Sequence, residues 1–361
     1  MSSMLFCCTA EPIVESGRES EGDSGTPHED SSKGSDDETA SEDDDDSTDG
    51  SESDVGSGSD EEIDCDALPT LPLEYETIAT RGAEDFAFDA EGYLVVVDRD
   101  SSNLFKQTYD GSPELVVANI GAKSSAGTAI LPNGDIVVAD EAGSIFRISL
   151  DGGVSTIVEN VGANGITVGN DGNIYAASYW GHQPGLLRVD PASGEATWLF
   201  GNDDAQGVDE ISGYDGVTLA TGYASVFVNE GEWFMEGEGR VFELEFQDDG
   251  SVVQVGAVAP LTGSSGTLDG MATDVCGNLY IAVSNLFGDP ECVGSGTFRV
   301  SPEGMTELVA CFGNEAYTPS LNFGSGVGGW HADHLYVIDW LGELYEIPVG
   351  VPGKPEPHLG A

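Results

Sequence analysis

The chain has 361 residues, 66 Asp and Glu against 11 Lys and Arg, and a formal net charge of −55. That charge excludes nucleic acid as a partner, because phosphate binding requires a basic face, and excludes adhesion to an anionic membrane through a polybasic patch. No apolar run reaches the roughly 18 residues of a spanning helix, so no transmembrane helix is expected.

The acidity is spread along the chain. Residues 1–66 hold 23 acids and two bases, Arg18 and Lys33, and residues 67–361 hold the other 43 acids and nine bases. From Glu15 to Asp66 the sequence is mainly Ser, Gly, Asp and Glu. Such a segment buries too little to offset its conformational entropy, so residues 1–66 are predicted to form a disordered, extended tether. At its start stands Met1-Ser2-Ser3-Met4-Leu5-Phe6-Cys7-Cys8. A complete signal peptide has a basic n-region and a longer apolar stretch, and neither is present. The reading adopted is the remnant of a lipoprotein signal, with a lipid anchor on Cys7 or Cys8. The alternative is a disordered start carrying two thiols.

Beyond residue 73 the apolar pattern has period two, broken by Gly and Asp turns. One apolar segment recurs six times, as Leu94–Asp98, Ile136–Asp140, Ile174–Ala177, Val226–Asn229, Leu279–Ala282 and Leu335–Asp339. A shorter strand precedes each, and a third and usually a fourth follow. Repeats of four strands are the signature of propeller blades. The sixth repeat lacks its fourth strand, and Glu74–Ile78, a lone strand before the first repeat, can supply it. The predicted fold is therefore all-β: a six-bladed β-propeller over residues 67–361, closed by its N-terminal strand, which leaves no sheet edge unpaired.

The blade register also pairs four cysteines. Cys292 falls in a loop on the face where inner strands begin (the top), and Cys311 ends the fourth strand of the same blade there. Cys276 lies in a bottom turn of blade five, and Cys65 precedes the closing strand of blade six, which starts at the bottom. The expected bonds are Cys292–Cys311 and Cys65–Cys276. A whole strand separates Cys276 from Cys292, too far for a disulfide. Two disulfides imply an oxidising, extracytoplasmic location at the periplasm or cell surface.

Aligned on the second strands, the inner strands place Glu84, Ala126, Asn164, Asp215, Asp269 and Ser325 in one column. Asn164, Asp215, Asp269 and Ser325 are each followed by Gly. Inner strands line the central tunnel, so the column forms a ring at its top. Carboxylates so placed repel unless neutralised, and a hard divalent cation with oxygen ligands, Ca²⁺ above all, resolves this. No Cys or His stands in the column, which argues against zinc. The predicted metal ligands are Glu84, Asn164, Asp215 and Asp269. The competing reading is that Asp-Gly and Asn-Gly are hairpin signals, as Asn133-Gly134 and Asp171-Gly172 plainly are. The four candidates differ in opening an apolar strand.

The pattern Glu84…Asn164-Gly165…Asp269-Gly270 on successive inner strands resembles the gluconolactonase/regucalcin (SMP-30-like) family and the related arylesterase/paraoxonase propellers. The Glu84-Asp85 pair resembles the arylesterase branch. The resemblance spans residues 73–349 and implies a tunnel metal that polarises a lactone or ester carbonyl, with Asp269 as general base. Asp215 departs from the family, which has Asn there, and is the alternative base. His182, in the loop Tyr179–Pro184, is a candidate second acid, and the loop Asn229–Gly239 carries Trp233 and Phe234 as pocket walls. No Gly-x-Ser-x-Gly elbow appears. Two readings stand: a monomeric, calcium-dependent hydrolase of small lactones or esters, and a non-catalytic, surface-tethered propeller that binds a ligand or protein and keeps its metal for structure.

Overall fold

A computed structural model of the chain describes residues 63–178, 183–201, 204–205, 213–231, 233–234, 239–261 and 264–360. The residues that include Cys7, Cys8, the acidic segment to Glu62, and His182 lie outside these ranges.

The described residues contain no helix, and their strands form six antiparallel sheets arranged as a six-bladed β-propeller. Blade one is Phe86–Phe88, Leu94–Val97, Leu104–Gln107 and Glu114–Val117, from the tunnel outwards. Blades two to five repeat this order, opening on the inner strands Ser125–Ile130, Ala163–Val168, Tyr214–Leu219 and Ser265–Thr273. Blade six takes Ser320–Phe323, Leu335–Ile338 and Glu343–Ile347 from the end of the chain, and its outer strand, Glu76–Ala79, from the beginning. Glu76 pairs with Glu346 and Ala79 with Glu343, so the ring closes as the repeat count predicts.

The second strands explain why this repeat was visible. Leu94 and Val96 pack into a cluster with Trp330, Tyr336 and Ile338 of blade six. The intervening Val95 and Val97 pack against Ile130, Ile136 and Val138 of blade two. A strand buried on both faces reads as a continuous apolar run instead of an alternating one. The core is accordingly six apolar clusters, one wedged between each pair of neighbouring blades.

Both expected disulfides are present. Cys65 bonds Cys276 with Cα atoms 5.6 Å apart, and Cys292 bonds Cys311 at 5.5 Å. They suit an oxidising, extracytoplasmic environment. Two features depart from the sequence reading. Trp233–Phe234, expected as part of a loop, is a two-residue strand that pairs with Thr267 and Gly266 on the tunnel side of blade five. The C-terminal residues cross the lower end of the tunnel: Lys354 N donates to Thr273 O, Val275 N to Pro352 O, Tyr223 Oη to Pro355 O, and His358 Nε2 meets Phe88 O at 2.7 Å.

The Cys65–Cys276 bond closes a loop with a sequence separation of 211 residues. Replacing both cysteines by Ser is expected to lower the unfolding free energy by about 2–5 kcal/mol, measured as a fall in the denaturant midpoint. Replacing Cys7 and Cys8, which stand outside both disulfides, leaves the midpoint unchanged.

Candidate metal centre

The column residues sit at irregularities in the inner strands. In blade three Ala163 pairs with Ser178 and Ile166 with Ala176, so Asn164-Gly165 faces only Ala177. Asp215-Gly216 and Asp269-Gly270 occupy the same position in blades four and five, as does Ala126-Gly127 in blade two. These are β-bulges, which bend a strand and re-aim its side chains. The glycines follow from crowding. A Cβ on Gly165 would collide with the Asp215 carbonyl oxygen, and one on Gly216 with that of Asp269. Each of these pairs thus combines a side chain that lines the tunnel with a residue small enough for the next inner strand to approach.

Glu84, Asn164, Asp215 and Asp269 all line one central cavity of about 300 Å³. Asn164, Asp215 and Asp269 are buried, each 5% exposed or less. Ser325 is not part of the ring. The connection between the inner and second strands of blade six runs from Gly324 to His334, twice the usual length, so counting back from the second strand ends in this bottom turn. Leu321 pairs with Val337 as Phe86 pairs with Val96, which puts Pro319 in the column and Ser320 beside it.

Two carboxylates escaped the sequence reading as members of the site. Asp85 takes the position that Gly holds in blades two to five, and is partly buried. Its Oδ2 accepts from Thr128 N of blade two at 2.6 Å, and its Oδ1 accepts from Ser320 Oγ of blade six. Glu141 follows the second strand of blade two, accepts from Asn164 Nδ2 at 3.3 Å through Oε1, and from Ser124 Oγ at 2.7 Å through Oε2. Its sequence signal was a carboxylate entering a top-face loop beside the column. Asn229 of blade four, fully buried, locks two column members together. Its Oδ1 accepts from Gly216 N at 2.9 Å and its Nδ2 donates to Asp269 O at 2.5 Å.

The charge balance of this mouth is one-sided. Burial, with the carboxylates of Glu84, Glu141 and Asp85 nearby, raises Asp215 well above the ordinary range. Burial and the charge of Asp215, with further carboxylates behind it, do the same to Asp269. Burial lifts Glu84 to about 7 against a hydrogen bond from Trp340 and the charge of Arg99, and lifts Asp85 to about 6 against its hydrogen bonds from Ser320 and Thr128. The nearby base, Arg99, lies 4.0 Å from Glu84 Oε2 and spreads over the Trp340 ring, with its centre 3.5 Å from the ring centroid. Trp340 in turn stacks on Tyr317 and donates from Nε1 to Glu84 Oε2 at 2.6 Å. An all-oxygen donor set with surplus negative charge fits a hard cation and does not fit zinc.

No protein-family profile and no curated protein matches the sequence. Solved structures do. Regucalcin from Agrobacterium tumefaciens, described as a calcium-binding protein, superposes with a TM-score of 0.60 at 16% identity over 81% of this chain and 99% of its own. A provisional gluconolactonase gives 0.58 at 14% over 79% of this chain and 96% of its own. The fold is theirs. They are the proteins that the Glu84, Asn164 and Asp269 pattern resembles, and at these identities the likeness is one of fold. Virginiamycin B lyase from Staphylococcus aureus also matches, with a TM-score of 0.53 at 10% identity over 76% of this chain and 99% of its own.

The raised acids give a pH signature. Without metal, the folded ring holds protons that the unfolded chain releases. Its contribution to stability is therefore complete below the ordinary carboxylate range, and is lost as pH rises through about 6 for Asp85 and about 7 for Glu84. Metal-free protein is expected to melt at lower temperature at about pH 8 than at about pH 5, at fixed ionic strength, with millimolar Ca²⁺ reversing the loss. The double variant Asp215→Asn, Asp269→Asn should weaken the Ca²⁺ response and reduce the pH slope, leaving the part that belongs to Glu84 and Asp85. A slope and a Ca²⁺ response both unchanged in that variant would exclude Asp215 and Asp269 as their source.

Proposed function

We propose that the protein is an exported, metal-dependent hydrolase of small lactones or esters, with a divalent cation held by Glu84, Asn164, Asp215 and Asp269. Ca²⁺ is the ion best suited to the donors. The observation that carries this reading is the buried, uncompensated acid ring at the mouth of a tunnel whose far end is crossed by the C-terminal segment. When bound, the cation supplies Lewis-acid polarisation of a carbonyl and stabilises the developing oxyanion.

The chain's own groups do the rest. Asn229 fixes the spacing of the Asp215 and Asp269 strands, so the ring is preorganised. Asp269, buried and facing the cavity, accepts the proton of the attacking water, with Asp215 as the alternative acceptor. His182, outside the described residues, is the candidate acid of this reading. The Trp340–Tyr317 stack with Arg99 walls one side of the opening. Export at the periplasm or cell surface, a lipid anchor at Cys7 or Cys8, the acidic tether of residues 1–66 and a monomeric state belong to the same reading.

A second reading draws on the extra carboxylates. Asp215 replaces an amide of the family pattern, and Asp85 and Glu141 add charge beside it. More negative charge binds a cation more tightly and weakens its pull on a carbonyl, which favours a structural ion in a ligand- or protein-binding propeller. A lactone and ester panel assayed at saturating Ca²⁺ separates the two. The hydrolase reading expects calcium-dependent turnover, with kcat reduced about 10²–10⁴-fold in Asp269→Asn. Ca²⁺ binding without turnover of any panel member would favour the binding module.

A further inference from the structure

The geometry points to a second metal site, in the bottom turn of blade six and of different chemistry: a borderline divalent ion of the Zn²⁺ class, bound by His331, Asp333 and His334. One donor atom from each of the three lies within 4.8 Å of the other two. All three sit in the long bottom turn between the inner and second strands of blade six. His331 and Asp333 are exposed and His334 is half-buried. The His331 and His334 rings are tilted by 32° with centroids 4.5 Å apart.

His334 is prepared as a ligand. Its Nδ1 lies 2.7 Å from Glu346 Oε1, which leaves Nε2 to face Asp333, 4.0 Å from Oδ1. Glu346 is buried, 4% exposed, and accepts from Tyr109 Oη at 2.7 Å and Tyr336 Oη at 2.8 Å, so its carboxylate is fixed in place. A buried carboxylate behind an imidazole is the arrangement that sets the tautomer and orientation of metal-bound histidines. The turn is rigid as well. Trp330 is fully buried and donates from Nε1 to Gly92 O at 3.0 Å, His331 N donates to Tyr336 Oη at 3.1 Å, and His334 N donates to His331 O at 3.2 Å. Two imidazoles and one carboxylate suit Zn²⁺ with a fourth position open, in contrast to the all-oxygen ring above.

The site has a structural consequence. Gly350 N donates to Asp333 O at 3.0 Å and Gly353 N to Ala332 O at 3.2 Å. A metal on this turn is therefore joined by backbone hydrogen bonds to the start of the segment that crosses the tunnel.

The test is equilibrium dialysis of the full chain against Zn²⁺, after metal removal and alkylation of Cys7 and Cys8. Excess Ca²⁺ is kept present to occupy the acidic sites. The expected result is one tightly held equivalent that weakens at least about 100-fold in His331→Asn and in His334→Asn. Glu346→Gln should weaken it about 10–100-fold, and Asp269→Asn should leave it unchanged. His331 is exposed, so its variant should melt like wild type in chelator. Co²⁺ in place of Zn²⁺ gives a second readout, a visible absorption band that is absent from His331→Asn. Wild-type protein that holds no Zn²⁺, or His331→Asn and His334→Asn variants that hold it as wild type does, would overturn the site and leave the upper ring untouched.

Discussion

Six inner strands converge on one tunnel, and the space between them governs what this sequence can place at its mouth. Where the strands crowd, the backbone of one blade meets the Cα of the next, so a glycine is required. The residue before it is freed from regular pairing by a bulge and turns to the tunnel. Packing and chemistry therefore share one dipeptide. Asn164-Gly165, Asp215-Gly216 and Asp269-Gly270 are at once close joints between blades and the source of the ring's oxygen donors. Blade one breaks the rule in a useful way. Asp85 stands where glycine would, and its carboxylate ties blade one to blade two through Thr128 and to blade six through Ser320. The ring is thus buttressed by a carboxylate at the junction of first and last blades, and that carboxylate adds to the charge that a cation would offset.

How much was legible in the sequence depended on which constraint left a periodic trace. Second strands were readable because both their faces are buried, as Val95 and Val96 show by packing into different clusters. The disulfides followed from blade register alone, since which end of a strand a cysteine occupies decides what it can reach. The sixth column position was misread. Blade six carries a longer turn than its siblings, and a count measured from the second strand placed Ser325 where Pro319 belongs. Glu141 and Asn229 leave no column signature because they arrive from the ends of second strands. Trp233–Phe234, two residues long, has no period to detect.

The net charge of −55 resolves into parts with different physics. The acids of residues 1–66 belong to a stretch of sequence made mainly of Ser, Gly, Asp and Glu. Most of the others lie on a surface with few bases, where salt screens their repulsion. A small group at the tunnel mouth is buried beyond the reach of screening, and there desolvation and like charge act together. Only this last group requires a specific partner. The cluster in the bottom turn of blade six is built from other donors, two imidazoles and a carboxylate, and answers to a different ion.

A crystal structure of the chain grown with Ca²⁺ tests the central claim most directly. The account predicts one calcium at the tunnel mouth, about 2.3–2.6 Å from oxygen atoms of Glu84, Asn164, Asp215 and Asp269. A tunnel mouth that holds only water, with calcium confined to surface carboxylates, would contradict it.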